Sequence, residues 1–379
     1  MRPFGLYLHI PFCLSRCGYC DFNTYLHDPD LARAYGEALC AEIAAWGERP
    51  EVRGRPAATV FLGGGTPSLL SPEGVAQILR TLRSAFPPAA GAEVTLEANP
   101  GTVDRAKLAG FRAAGVNRVS FGVQAFQDRL LRVAGRDHTA DDARRAVGDA
   151  RAAGVTNLNL DLIFAIPGQT VDDWAASLDE AVALAPEHVS AYGLTYEEGT
   201  PFHRDRGAGR LRPVDEETEA AMFDLGIARL TAAGYEQYEI SNFARPGRRC
   251  AHNQIYWRCE DYLGLGAGAH SCLGGRRTFN RRLPQDYIAA IRGTGSAQAG
   301  AEELTPRQRL GEALVLGLRL REGVDLEALA AGFVPWGVAP DGAVLERLKG
   351  AGLVERHGPR LRLTDRGIRL ANEVFVALV

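Results

Sequence analysis

The order of apolar and polar positions through about the first 235 residues repeats one phrase. A short β-branched or aromatic run is followed by a loop, and then by a segment with apolar residues at helical spacing. The β-type runs are LYLHI from Leu6, ATVFLGG from Ala58, EVTLEAN from Glu93, RVSFGVQ from Arg118, NLNLDLIFAI from Asn157 and HVSAYGLTY from His188. Helical stretches such as LARAYGEALCAEIAAW, EGVAQILRTLRSAF, DRAKLAGFRAAG and DDARRAVGDARAAG separate them, and the last two end in Ala-Gly, a usual helix stop. Six βα units in alternation predict an α/β fold: a parallel sheet with helices outside it. A partial (β/α)6 barrel and an open doubly wound sheet both satisfy this pattern. No GxGxxG follows the first strand, so a dinucleotide-binding sheet lacks support.

From about Tyr235 the pattern changes to YEQYEISNFARPGRRCAHNQIYWRCEDYLGLGAGAHSC, rich in aromatics and glycine. It reads as strand and loop packed against or over the barrel mouth. Helical runs return near Glu302, followed by the two-strand pattern LVERHGPRLRLT and a closing RGIRLANEVFVAL. The expected organisation is a partial barrel over residues 1–235, an aromatic and Gly-rich region over 236–300, and a winged-helix-like α+β module over 301–379. A winged helix often reads DNA, but residues 301–379 carry eleven Arg/Lys against eleven Asp/Glu. A structural or partner-docking module is the better expectation.

Composition adds mainly exclusions. The 379 residues are 46% hydrophobic and 23% charged, ordinary for a folded globular chain. The formal net charge of −3 offers nucleic acid no general foothold, so no nucleic-acid partner is expected. No apolar run reaches the length of a membrane span, and MRPFGLYLHIPF lacks the features of a signal peptide. A reducing cytoplasm is the expected location, where clustered cysteines point to metal or catalysis rather than disulfides.

Chemistry gathers after the strands, where parallel α/β folds place their active sites. The first strand runs into Cys13, Cys17 and Cys20; the second into Gly63-Gly64-Gly65-Thr66-Pro67; the third into Glu97-Ala98-Asn99-Pro100. The fourth ends at Gly122-Val123-Gln124, the fifth contains Asp161 in DLIFAIPGQT, and the sixth enters GLTYEEGTP. Turn chemistry explains any one of these, but not all six together. Structural zinc wants four ligands and would need His9 or His27 as the fourth, whereas a 4Fe–4S cluster on three thiolates leaves one iron open. Taken singly, Glu97 and Asp161 also suit helix capping, Arg136 a surface charge and Tyr7 the core. Cys40, Cys250, Cys259 and Cys272 are scattered and read by default as small apolar side chains.

The Cys-x3-Cys-x2-Cys spacing, with Tyr19 beside Cys20, resembles the signature of the radical S-adenosylmethionine (SAM) enzymes. That resemblance implies a 4Fe–4S cluster on Cys13, Cys17 and Cys20. Its open iron takes SAM's amino and carboxylate groups, and an electron from the cluster cleaves the sulfonium. By the same resemblance Gly64, Gly65 and Thr66 approach SAM's amino group, and Glu97, Gln124, Arg136 and Asp161 hold its ribose, carboxylate and adenine side. Tyr7 would stand beside the cluster.

YLHIPFC, FLGGGTPSLL, RVSFGVQAF, GRDHT, DLIFAIPGQT and YEISNFARPG, in that order, resemble the oxygen-independent coproporphyrinogen III oxidase family. Its true oxidases carry a fourth cysteine two residues after the third, and an N-terminal extension. Here that position is Phe22, and five residues precede Leu6, which resembles the family's heme-chaperone branch instead. The motif His252-Asn253-Gln254-Ile255-Tyr256-Trp257 agrees with that branch, implying His252, Tyr256 and Trp257 at a heme. The residues alone also allow a hydrogen-bonded loop histidine with core aromatics. Cys250, Cys259, His270 and Cys272 stand nearby as alternative ligands. The branch implies heme as cargo, heme-accepting proteins such as membrane respiratory complexes, and an electron donor. Peripheral membrane association and a homodimer are both compatible with it. Conversion of coproporphyrinogen III to protoporphyrinogen IX is the alternative expectation.

Overall fold

The structure, a computed structural model, describes residues 3–379. Its six leading strands are β1 (Phe4–Ile10), β2 (Ala57–Gly64), β3 (Pro88–Ala98), β4 (Arg118–Gln124), β5 (Leu158–Phe164) and β6 (His188–Gly193). Each pairs in parallel with the next in chain order. The reason lies in their period-two alternation. Leu6, Leu8, Leu62, Leu96, Phe121, Leu158, Leu160 and Val189 are fully buried in the core shared with the outer helices. The intervening residues are polar: Thr59, Thr95, Arg118, Ser120, Asn159, His188 and Ser190, all buried on the other face. A strand with one face for helices and one polar face lines a partial barrel rather than a flat, dry sheet.

The sheet continues past both edges to twelve strands without its ends joining. Tyr262–Leu265 adds in parallel beside β1, followed antiparallel by His270–Leu273, Arg276–Asn280 and Gln298–Glu302. Beyond β6 lie Asn242–Ala244 and Glu236–Gln237.

Between Tyr235 and Cys272 the expected strand and loop is interrupted by a helix at Ala251–Trp257, and a second helix follows at Pro284–Thr294. The first is too short to show a helical period, and it needs outside support. The Glu93 carboxylate supplies it, accepting the backbone N–H groups of Ala251 and His252, each at 3.1 Å. Because Thr59 lies early in β2 and Glu93 pairs with it in register on β3, this helix plugs the N-terminal end of the barrel, opposite the expected mouth. The Gly266–Gly268 turn and Arg282 reach the other end, where Asn23 donates to the Ala267 carbonyl at 3.1 Å and to the Arg282 carbonyl at 2.9 Å.

The last part of the chain has its own core, built from Leu314 and Leu318 of helix Pro306–Arg319, Leu361, Leu363 and Val374. Its sheet has three short strands, Val324–Asp325, Arg360–Leu363 and Val354–His357. No helix among the described residues is long and apolar enough to cross a membrane.

Candidate functional site

The C-terminal ends of the six strands surround a cavity of about 650 Å³. Cys13, Cys17 and Cys20 all line it, carried on the loop that leaves β1. Thr66 Oγ1 lies 3.5 Å from Cys13 Sγ, and Arg136 Nη1 donates to Cys17 Sγ at 3.3 Å. Burial pushes the Cys13 thiol up and the Cys20 thiol up to about 11, so metal binding there releases protons. No three His, Cys, Asp or Glu side chains among the described residues converge on a single ion. Three thiols lining one cavity suit a cluster with one thiolate per iron, whereas a structural zinc takes four ligands. Phe22, two residues after Cys20, lies on the rim, 63% exposed.

Gly64, Gly65, Thr66, Glu97, Gln124, Arg136 and Asp161 all reach the same cavity. The glycines answer first to the protein itself. Gly64 sits at φ +109°, and a Cβ there would strike the His9 ring at 2.4 Å. A Cβ on Gly65 would meet the Phe12 carbonyl oxygen at 2.7 Å, because Gly65 and Thr66 donate to the carbonyls of Ile10 and Phe12. This pairing locks the glycine loop to the cysteine loop.

Glu97 and Asp161 cap no helix; Asp104 and Thr170 take those positions. Burial, reinforced by Asp161, pushes the Glu97 carboxyl up to about 7 against the Gly64 N–H that it accepts at 3.1 Å. Ser120 donates to Asp161 at 2.9 Å and Asn159 holds its other oxygen at 2.8 Å. Gln124 ends β4 with φ +67°, a left-handed backbone that costs a non-glycine residue about 1 kcal/mol or more. Arg136 is anchored by the Gly122 carbonyl at 2.8 Å, yet its Nε is buried without a partner. A guanidinium, a carboxyl that titrates near neutral pH and a side-chain amide around one void suit a polar zwitterionic ligand.

Tyr7 is not on the cavity wall. Its hydroxyl meets His9 Nδ1 at 3.0 Å, and His9 Nε2 meets the Asn23 carbonyl at 2.9 Å, so it supports the cysteine loop from below. The HNxxYW motif divides between two spaces. His252 faces the barrel interior, fully buried, with Nδ1 at 2.7 Å from Thr59 Oγ1 and Nε2 at 3.0 Å from Tyr256 Oη. Its ring stacks on Phe61 at 5.0 Å, and burial lowers its pKa to about 3. Both ring nitrogens are therefore committed in this conformation. Trp257, at the other end of the same short helix, instead lines a second cavity.

Residues 7–181 match the radical SAM superfamily and residues 304–370 match the HemN C-terminal domain. The heme chaperone HemW of Mycobacterium tuberculosis is 41% identical over 388 aligned positions, covering 100% of this chain and 95% of that protein. The heme chaperone HemW of Bacillus subtilis is 38% identical, covering 98% of each. The chain belongs to the HemW family. Among solved structures, coproporphyrinogen III oxidase (HemN) from Escherichia coli, a radical SAM enzyme, superposes with a TM-score of 0.86 at 26% identity. That match covers 100% of this chain and 90% of that one.

In this HemW-family chain several cavity residues had no signal in the motif pattern. Ser120 is visible only as an inward position of β4, once the register with Asp161 is known. Thr195 and Glu197 fall within GLTYEEGTP and Ser241 within YEISNFARPG, but residue type alone does not single them out there. The alternation of β6 could have marked Tyr192 as inward-facing.

Proposed function

We propose that this protein is a heme chaperone that holds a 4Fe–4S cluster on Cys13, Cys17 and Cys20, binds SAM beside it, and delivers heme to acceptor proteins. The observation that carries this reading is the match to HemW proteins over nearly the whole chain. A bound cluster supplies the electron that can cleave SAM's sulfonium. The protein's own residues do the rest. Arg136 brings its guanidinium to the cavity wall for a carboxylate, Glu97 and Asp161 offer acceptors to ribose hydroxyls, and Gln124 offers a hydrogen-bonding amide. The buried floor below them keeps bulk water from entering at the far end of the barrel.

The acceptors that fit are respiratory complexes reached from a cytoplasmic, peripherally associated protein, with a separate electron donor. The three sequence-defined segments would then serve as cluster and SAM barrel, heme-associated region and docking module.

A second reading, oxidative decarboxylation of coproporphyrinogen III, is favoured by the fit to HemN. Phe22 in place of a further thiol speaks against it. The reconstituted, reduced protein is tested anaerobically with SAM and coproporphyrinogen III, beside a working oxidase. No porphyrin conversion is expected here while the control turns over; formation of protoporphyrinogen IX with turnover would establish the second reading.

A further inference from the structure

Where helix Asp128–Ala134 ends, the turn 134–137 lies against the cysteine loop and holds it at three points. The Ala134 carbonyl accepts the Gly18 N–H, Arg136 Nη1 donates to Cys17 Sγ, and Ser15 Oγ donates to Asp137 Oδ2, each at 3.3 Å. Gly135 caps the helix at φ +74°, and a Cβ there would stand 3.3 Å from Gly18 N, so the two loops meet backbone to backbone. Two further bonds fix the turn to the barrel. Asn99, just past β3, donates to Asp137 Oδ1 at 2.7 Å, and the buried His138 places Nε2 3.1 Å from the Val123 carbonyl on β4. The strand ends thus hold the cysteine loop over the cavity.

The grip differs among the three thiols. Cys17 receives a guanidinium; Cys13 faces the Thr66 hydroxyl at 3.5 Å, and Cys20 the backbone of Phe22. A charged donor binds a thiolate more strongly than a neutral one. Arg136 stays at the sulfur because its Nη2 is anchored on the Gly122 carbonyl at 2.8 Å. Nη1 and Nη2 each keep a second N–H, so the same group can also meet a carboxylate. Reduction adds one negative charge to a cluster, and positive charge and hydrogen bonds at its sulfurs favour the reduced state. The side chain at Cys17 therefore acts on the potential of a bound cluster as well as on the place of its ligand.

We propose that the turn 134–137 is the positioning element of the cluster: Ala134 and Asp137 hold the cysteine loop, and Arg136 raises the cluster's reduction potential through Cys17. The inference rests on the cluster reading proposed above and adds which residues outside the cysteines set its poise. No bond to iron is made or broken in this role. The electron comes from the separate donor, and Arg136 sets how readily the cluster takes it. Because Arg136 acts here through a ligand, its effect is present before SAM binds.

The test reconstitutes the full-length protein anaerobically, measures iron per chain, and titrates the cluster electrochemically without SAM while its EPR signal is followed. Arg136→Gln should lower the midpoint by about 59 mV or more, a tenfold loss of reduced cluster at a fixed poise. Thr66→Val should lower it less. Asp137→Ala loosens the loop but removes no donor from sulfur, so it should lose iron to a chelator faster while its midpoint does not fall. Where Arg136→Gln retains no iron, Arg136→Lys decides: it keeps the charge but not the planar fork, and should hold iron with a midpoint below that of the wild type. A midpoint at or above the wild type in the iron-bearing Arg136 variant overturns the proposal. So does an equal fall in Asp137→Ala, which would make the shift a result of loosening, and so does loss of iron from both Arg136 variants, which would leave Arg136 a purely structural role. A wild type that takes up no four-iron cluster is a different failure, that of the cluster reading itself.

Discussion

The two ends of the barrel are built from the same strands and differ in the space they enclose. At the floor, His252 is held by Thr59 and Tyr256, Glu93 caps the plugging helix, and His188 is bound by Asn159 at 2.6 Å and Tyr238 at 2.8 Å. At the mouth, Arg136 Nε has no partner and Gln124 is held in a left-handed backbone. The floor is not wholly satisfied either, since Arg118 Nε is buried there without a partner. What separates the two ends is space: the mouth opens on a cavity of about 650 Å³, whereas the inward side of the floor is filled by the ring of His252.

The largest effect that would break this contrast is at the mouth. Cys17→Ser is expected to lose iron–sulfur absorption and nearly all bound iron after anaerobic reconstitution. Wild-type iron content in that variant would remove the cysteine loop from the cluster assignment. At the floor, His252→Ala should leave iron content intact but lower unfolding free energy by about 2–4 kcal/mol, through lost stacking on Phe61 and two stranded hydroxyl partners. An unchanged denaturation midpoint would deny His252 its structural role.

A third difference concerns Glu42, buried beside the Gly266–Gly268 turn, where it accepts from Gly266 N, Asn280 and Tyr287. Burial pushes its carboxyl up from 4.5 to about 7. The folded chain therefore keeps a proton that the unfolded chain loses first. The resulting stability is fully present below about pH 4.5 and is lost as pH rises through about 7, a span on the order of 3 kcal/mol. Glu42→Gln should flatten the thermal midpoint across that interval; an equally steep variant would show that Glu42 is not the group responsible. Smallest is Gln124→Gly, expected to add about 1 kcal/mol of stability by relieving the left-handed backbone while weakening SAM binding. Unaltered SAM affinity would mean that the amide does not face the ligand.

The mouth was legible in the sequence because its residues sit just after strands whose alternation is strong. Six βα units, the cysteine loop and the glycine loop all fall where that pattern places them. The floor was not. The helix Ala251–Trp257 is two turns long, and what makes it helical is a carboxylate about 160 positions earlier in the chain, Glu93. Tyr262–Leu265 joins β1 across a wider gap still, Gly5 pairing with Tyr262, and local propensity carries no record of such pairing. Hence one motif, read as a single heme pocket, is divided in the fold: His252 inside the barrel, Trp257 outside it. The glycines carry a related lesson, since their spacing is visible but the His9 ring and Phe12 carbonyl that require them are not.

The most direct measurement is heme transfer. The protein, loaded with one equivalent of ferric heme and freed of excess, is mixed with an apo-hemoprotein acceptor while the acceptor's own spectrum is followed. The expected result is stoichiometric appearance of acceptor spectrum with matching loss of donor heme, and no change in the tetrapyrrole itself. Heme that stays on the protein, or reaches the acceptor no faster than free heme does, would contradict the chaperone function.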